Sequence, residues 1–244
     1  MVNKKEVKKK ELEKDKISKR EFNKKQNRQI MWAIILMVSL ILIIILVPLI
    51  VKNFFNKFVY INLDWQKTKL GDIMFYSTRV PIASAQGTIT GSYSMNFRND
   101  PRKLDNISIY VFQDWIEFEK DKPAYITLYP EMEACEDNSI ALINLVGFLR
   151  DFAGLNVKSA VGKLDYAKQN NLSYVTCKNT PNNTVIYINS GAKTEISKIS
   201  PNCYEIIYNN CEIIPVTERF MLIILGKYMN YFTRDDKSFL DMFK

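Results

Sequence analysis

The chain has 244 residues, of which 47% are hydrophobic, and it carries a formal net charge of +8. It contains no histidine, which excludes Ser-His-Asp and Cys-His catalysis because both need an imidazole base. Residues 1–29 hold 12 lysines and arginines against 5 acids, whereas residues 60–244 hold 20 basic against 21 acidic residues. The positive excess therefore lies in one tail, and it does not indicate a nucleic-acid-binding protein.

An uncharged run of 22 residues, residues 30–51, directly follows the basic tail. As a helix it is about 33 Å long, which is enough to cross a hydrocarbon core of about 30 Å. The basic flank predicts a cytoplasmic N-terminus and an extracytoplasmic region after the run. A cleaved signal peptide has a shorter apolar region followed closely by a small-x-small site. No such site directly follows Val51, so we expect an uncleaved anchor in the cell membrane, with the lipid bilayer as its first partner.

The next segment, residues 52–119, is predicted to be β-rich because short stretches such as residues 72–76 and 108–112 alternate apolar and polar positions. Between these stretches, Asn99, Asp100 and Pro101 form a sequence that favours a turn. The flanking Arg98 and Arg102, with Asp100 between them, are weak candidates for holding a carboxylate or a phosphate. A purely structural turn is the competing interpretation.

The remaining segment, residues 120–244, is predicted to be an α/β domain. A buried strand at residues 124–129 precedes an apolar helix at residues 139–152, which Asp137 or Asn138 can cap and Gly154 can close. Strands are further predicted at residues 157–161, 174–176, 184–188, 194–196 and 204–208, and helices at residues 164–169 and from about residue 217 onward. The fold class is thus α/β (α+β), with segments 1–29, 30–51, 52–119 and 120–244.

All four cysteines, Cys135, Cys177, Cys203 and Cys211, lie beyond the predicted anchor. An even number of cysteines in an oxidising compartment favours disulfide bonds, and free buried thiols are the second interpretation. Zinc is a third, but the chain has neither a CxxC motif nor a histidine. We therefore predict disulfides, no metal site and no cofactor.

The order strand, cysteine, helix, strand, helix, strand, proline, strand resembles a thioredoxin-like fold over residues 122–199. Cys135 matches the reactive cysteine at the start of the first helix, and Pro181 matches the proline opposite that site. The motif departs from the family because Asn138 stands where the second cysteine of CxxC belongs and Asn182 follows the proline. In the fold that this resemblance implies, the disulfides are Cys135–Cys177 and Cys203–Cys211.

The region outside the membrane also resembles an uncharacterised family of small single-pass archaeal membrane proteins. This second resemblance rests on residues 98–102, on the Cys203-Tyr204 pair with Cys211, and on residues 218–220. It implies a membrane-anchored outer domain without a known activity.

Two functions follow as expectations. The first is a non-enzymatic, single-pass membrane protein whose outer domain is structural or binds other membrane or surface proteins, with no nucleic acid among its partners. The alternative is a membrane-tethered thiol-disulfide oxidoreductase that uses Cys135 and Pro181.

Overall fold

The structure is a computed structural model that describes residues 28, 30–48, 50, 56–83, 88–110 and 116–233. The predicted basic tail, apart from Arg28, lies outside these residues. The chain divides into two compact units, residues 1–56 and 57–244.

Helix α1, Ile30–Pro48, is the described element of the first unit. It has 19 residues with a mean hydropathy of 3.3, and none of it is buried within the protein. Its polar side chain, Ser39, donates a hydrogen bond of 2.9 Å to the carbonyl oxygen of Leu36, so the hydroxyl is satisfied within the helix. The helix meets the length and composition of a membrane span, a condition that a signal sequence also meets. The predicted N-terminal apolar helix is confirmed.

The second unit begins with a four-stranded antiparallel sheet in chain order. Its strands are Lys57–Tyr60 (β1), Leu63–Leu70 (β2), Ile73–Ala83 (β3) and Ile89–Phe97 (β4). Side chains alternate across the sheet, and one face buries Trp65, Val80 and Phe97 completely or nearly so. The rings of Trp65 and Phe97 lie 5.3 Å apart. The β-rich character predicted for this part of the chain is therefore present.

A mixed six-stranded sheet follows. Its strands are Ser108–Tyr110 (β5), Ala124–Leu128 (β6), Val157–Val161 (β7), Val185–Ser190 (β8), Glu195–Ser200 (β9) and Cys203–Tyr208 (β10). They lie in the order β5-β9-β10-β8-β6-β7. Strand β6 is parallel to β7 and β8, and β8 is parallel to β10. Strand β9 is antiparallel to β10. The mixed α/β class predicted from the sequence is confirmed.

The helices of the second unit are Asn138–Gly147 (α2), Leu164–Asn170 (α3) and Ile213–Thr233 (α4), with a π-helical turn at Phe148–Phe152 and a 3₁₀ turn at Leu104–Asn106. Gly154 has φ +71°, the left-handed conformation predicted for the end of the first helix. Asp137 precedes α2 but its side chain makes no capping hydrogen bond. Helix α2 is also less covered than predicted, since Ile140 and Ile143 are exposed.

Two other elements differ from the prediction. Helix α4 begins at Ile213, four residues earlier than expected, because Pro215 fits the first turn, where its missing N–H costs no helical hydrogen bond. The strand predicted at residues 174–176 is reduced to a single bridge between Tyr174 and Val161. There the side chain of Asn179 accepts a 2.6 Å hydrogen bond from the Thr176 N–H, which turns the chain away from the sheet.

The two faces of the six-stranded sheet are covered differently. Helix α4 packs against the face that carries Ile186, Ile188, Tyr204 and Ile206, within the main hydrophobic core. The opposite face carries a smaller cluster of five buried residues: Ala160, Val175, Val185, Tyr187 and Cys203. Because alternate residues of one strand point to opposite faces, β8 and β10 contribute to both clusters.

Candidate functional site

The four cysteines form two disulfide bonds, Cys135–Cys211 and Cys177–Cys203, with Cα–Cα distances of 5.5 and 5.9 Å. The predicted presence of disulfides is confirmed, but the predicted pairing, Cys135–Cys177 and Cys203–Cys211, is wrong. Cys203 opens β10, and this strand carries the chain about 17 Å away before the turn that contains Cys211. A disulfide needs Cα atoms within about 7 Å, so strand direction decides the pairing.

The Cys135–Cys211 bond lies at the carboxyl edge of the six-stranded sheet. Cys135 follows β6 and Cys211 follows β10, and both strands run parallel to β8, so their carboxyl ends meet at one edge. Cys135 is half-buried and Cys211 is exposed. The Cys211 N–H donates a 3.2 Å hydrogen bond to the Glu133 carboxylate. Helices α2 and α4 begin three and two residues after these cysteines, so the bond lies close to two helix N-termini.

The Cys177–Cys203 bond lies at the amino edge of the same sheet. Cys203 is paired with Val185, the first residue of β8, and is only 2% exposed. The backbone N–H of Cys177 donates a 3.1 Å hydrogen bond to the Tyr187 hydroxyl oxygen. This disulfide thus fixes the segment after Tyr174 against the face of the sheet that lies opposite helix α4.

Strand direction also separates Cys135 from Pro181. The Asn183 side chain donates a 2.9 Å hydrogen bond to the carbonyl oxygen of Pro123, directly before β6, so the segment around Pro181 lies at the amino edge. Cys135 lies beyond the opposite end of β6. In addition, β8 and β9 do not pair with each other, because β10 lies between them. The structure therefore does not bring together the cysteine and proline that the thioredoxin-like resemblance pairs.

The segment from Arg98 to Arg102 contains a turn, with the Lys103 N–H bonded to the Asp100 carbonyl at 2.9 Å. Both arginines are bound to carboxylates of this chain. The Arg102 guanidinium donates two hydrogen bonds, of 2.9 and 2.6 Å, to Asp100, and Arg98 donates one of 2.8 Å to Asp137. The hydrogen bonds from Arg102 lower the pKa of Asp100. All three weak candidates are thus engaged within the chain, Asp100 with Arg102 and Arg98 with Asp137.

A buried carboxylate from α4 lies against the same turn. Glu218 is 3% exposed and accepts hydrogen bonds from the Arg98 N–H at 2.6 Å, the Asn99 N–H at 3.1 Å and the Asn99 side-chain amide at 2.8 Å. Burial raises the pKa of Glu218 to about 7, although the three donors favour its charged form. The turn therefore does bind a carboxylate, that of the chain's own helix, through backbone and amide N–H groups.

A concave site that was not predicted from the sequence lies on the face of the six-stranded sheet opposite helix α4. We call it the tyrosine depression; it has a volume of about 520 Å³. Its lining includes Tyr129, Tyr174, Tyr187, Glu205, Lys178 and Gly162. The rings of Tyr129 and Tyr187 lie 5.7 Å apart at 34°. The sequence did contain a signal for this site, namely the alternation of side chains along the strands within residues 124–129 and 184–188. Tyr129 and Tyr187 occupy the positions that point away from the core, whereas the isoleucines and the leucine at the alternate positions point into it.

Glu205 is the acidic group of the tyrosine depression. It is half-buried and pairs in register with Tyr187 of the neighbouring strand, so the two side chains lie on one face. Among the described residues its carboxylate makes no ion pair and no hydrogen bond. Burial is the main cause of the raised pKa of Tyr129, and the Glu205 carboxylate adds to it. The depression therefore joins aromatic rings to a carboxylate that forms no ion pair among the described residues.

One group of potential metal ligands occurs among the described residues: Glu133, Cys135 and Cys211. Both sulfur atoms belong to the same disulfide. A thiolate is the form of cysteine that binds metal, so the oxidised pair leaves only the Glu133 carboxylate as a ligand. This arrangement does not fit a zinc centre.

Comparisons of the chain with protein-family models, with curated proteins and with solved structures find no match.

Proposed function

We propose that this chain is a single-pass membrane protein whose outer, disulfide-bonded domain is non-enzymatic and binds a ligand or another surface component. The observation that carries the proposal is helix α1, whose 19 residues are uncharged, have a mean hydropathy of 3.3 and have no cover within the protein. Exposing such a helix to water is costly, and a lipid bilayer removes that cost. The basic residues before the helix then favour a cytoplasmic N-terminus.

The two disulfides support the orientation. All four cysteines lie in the unit that follows the helix, and each forms a disulfide. Disulfides persist in oxidising compartments and are rare in the cytosol. An outer location for residues 57–244 is therefore consistent with both the charge asymmetry and the cysteine chemistry.

The tyrosine depression supports binding as the role of the outer domain. Its volume falls within the range of about 300–1,000 Å³ that is common for small-molecule sites. The described residues around it supply aromatic rings, one carboxylate and one lysine, but no nucleophile with an adjacent base. Binding without covalent chemistry is the activity that this set of groups favours.

Topology is tested on intact cells that express the chain with an epitope at residue 3. Protease added from outside is expected to remove the region after α1 and leave a short, membrane-associated fragment with a protected epitope. A mature protein that begins near residue 50 or later, or an epitope that external antibody reaches, contradicts the proposed anchor.

A membrane-tethered thiol-disulfide oxidoreductase remains the second candidate, for one reason. The Cys135–Cys211 bond is partly exposed and lies near the N-termini of α2 and α4, an environment that stabilises thiolates and makes a disulfide easier to reduce. The test is turnover of a small disulfide substrate by the reduced chain. Turnover that is lost in Cys135→Ser supports the oxidoreductase, whereas its absence supports the binding protein.

A further inference from the structure

We propose that the tyrosine depression binds an organic ammonium group. This inference deepens the proposed function, on which it rests, by naming the class of ligand that the outer domain takes. The face of an aromatic ring is negative, and a cation over such a face is attracted to it, more strongly when water is excluded. Three tyrosines line the depression: Tyr129 and Tyr174 are half-buried, so a ligand can reach their rings, whereas Tyr187 is only 6% exposed.

Glu205 fixes the sign of the ligand's charge. The residue is half-buried, and its carboxylate has no cationic partner within 4 Å among the described side chains. A partly desolvated carboxylate without a partner is unfavourable, and an incoming cation compensates it. An ammonium group between the tyrosine rings and Glu205 would gain from both interactions at once.

The walls of the depression are held in position before any ligand arrives. The Tyr187 hydroxyl accepts the hydrogen bond from the Cys177 N–H, and Cys177 is disulfide-bonded to Cys203. Cys203 lies two residues before Glu205, on the same face of β10. Atoms of the Tyr129 ring lie 3.1–3.3 Å from where a Cβ on Gly162 would be, so this glycine lets the ring pack closely. Preorganised groups bind with a smaller loss of conformational entropy.

Lys178 lines the same depression and is exposed. Its positive charge opposes a cationic ligand, and it does not form an ion pair with Glu205. Lys178 and Glu205 should therefore affect ammonium binding in opposite directions. An anionic ligand would reverse both signs, so this pair of residues distinguishes the two classes of ligand.

The probe is choline, with 3,3-dimethyl-1-butanol as the uncharged molecule of the same shape. Binding to the full chain in dodecyl maltoside is measured by calorimetry and by saturation-transfer NMR. Choline is expected to bind and the alcohol to bind at least tenfold more weakly. We expect Glu205→Gln and Tyr129→Leu each to weaken choline binding by about tenfold, Tyr129→Phe to retain it, and Lys178→Ala to strengthen it two- to threefold.

Melting temperatures of all four variants are measured in parallel. Glu205→Gln is close in shape to the parent, and Tyr129→Phe keeps the ring, so a folded protein is available in each comparison. No binding of choline, equal binding of choline and the alcohol, or unchanged binding in folded Glu205→Gln would overturn the proposal.

Nanodiscs distinguish a free ammonium compound from a lipid headgroup as the source. If choline binds equally in discs of phosphatidylglycerol and phosphatidylcholine, the depression takes a free ligand. If phosphatidylcholine lowers the apparent affinity, the headgroup competes for the same site; either result upholds ammonium binding. The binding measurement in detergent does not depend on membrane orientation, so absence of choline binding would not contradict the proposed membrane anchor. In the same way, a failed topology test would not contradict choline binding.

Discussion

Glu218 accepts two hydrogen bonds from Asn99, one from the backbone N–H at 3.1 Å and one from the side-chain amide at 2.8 Å. The two residues are 119 positions apart in the chain, and this contact joins the end of the antiparallel sheet to helix α4. The third donor is the Arg98 N–H. A single buried carboxylate thus satisfies two backbone N–H groups that follow β4.

The first prediction concerns the pH dependence of stability. The pKa of Glu218 is about 7 in the folded chain against an ordinary 4.5, so the folded state retains a proton that the unfolded chain releases between these values. The free energy of unfolding should therefore fall as the pH rises from 4.5 to 7, by about 3 kcal/mol in total. Glu218→Gln should remove this slope.

Urea unfolding of the full chain in micelles at several pH values measures the effect. Exposed Glu133→Gln is the control and should keep the slope of the parent. If Glu218→Gln and the parent lose stability equally between pH 4.5 and 7, the carboxylate is ionised throughout and the three N–H donors outweigh burial.

The second prediction concerns the same contact at fixed pH. Glu218→Ala leaves the N–H groups of Arg98 and Asn99 without an acceptor in a buried site, which costs about 2–4 kcal/mol. Asn99→Ala removes only the side-chain donor and should cost about 1 kcal/mol. Chemical denaturation at pH 7 provides both values; equal losses in the two variants would show that the backbone hydrogen bonds to Glu218 contribute little.

The third prediction concerns the stabilisation by each disulfide. The sequence separations are 76 for Cys135–Cys211 and 26 for Cys177–Cys203, and the chain-entropy relation gives about 4.5 and about 3.5 kcal/mol. Replacing both members of one pair by serine should lower the melting temperature, with the larger effect for Cys135 and Cys211. Cys135→Ser with Cys177→Ser breaks both bonds and should destabilise more than either matched pair.

The fourth prediction concerns the order of reduction. Cys211 is exposed whereas Cys203 is 2% exposed, so a mild reductant should open Cys135–Cys211 first. Timed alkylation of the native chain followed by peptide mapping reveals the order. Simultaneous labelling of all four cysteines would instead indicate that reduction follows global unfolding.

The fifth prediction compares two glycines. A Cβ on Gly191 would lie 2.5 Å from a methyl carbon of Ile207, whereas a Cβ on Gly91 would meet no atom within 4 Å. Gly191→Ala should therefore destabilise the fold by about 1–3 kcal/mol, since Ile207 is stiff at χ1 and must move. Gly91→Ala should leave stability unchanged or slightly improved. Thermal unfolding compares the two, and equal melting temperatures would contradict the expected clash.

Local sequence patterns determined the individual elements. The uncharged run predicted α1, and apolar periodicity with a following glycine predicted the helix that ends before Gly154. Strands β7, β8 and β10 also follow from short apolar stretches. These features depend on residues within a few positions of one another, so the sequence contains the information directly.

The tertiary structure decided which elements meet. The position of β10 between β8 and β9 depends on long-range pairing, which local periodicity does not encode. That position places Cys211 beside Cys135, brings Cys203 to Cys177, and sets Glu205 next to Tyr187. The sequence by itself therefore determined the N-terminal apolar helix, several of the strands and the oxidisable cysteines. Only the parallel order of the strands decided the disulfide pairing and created the tyrosine depression, because residues distant in the chain come together at the edges and faces of a sheet.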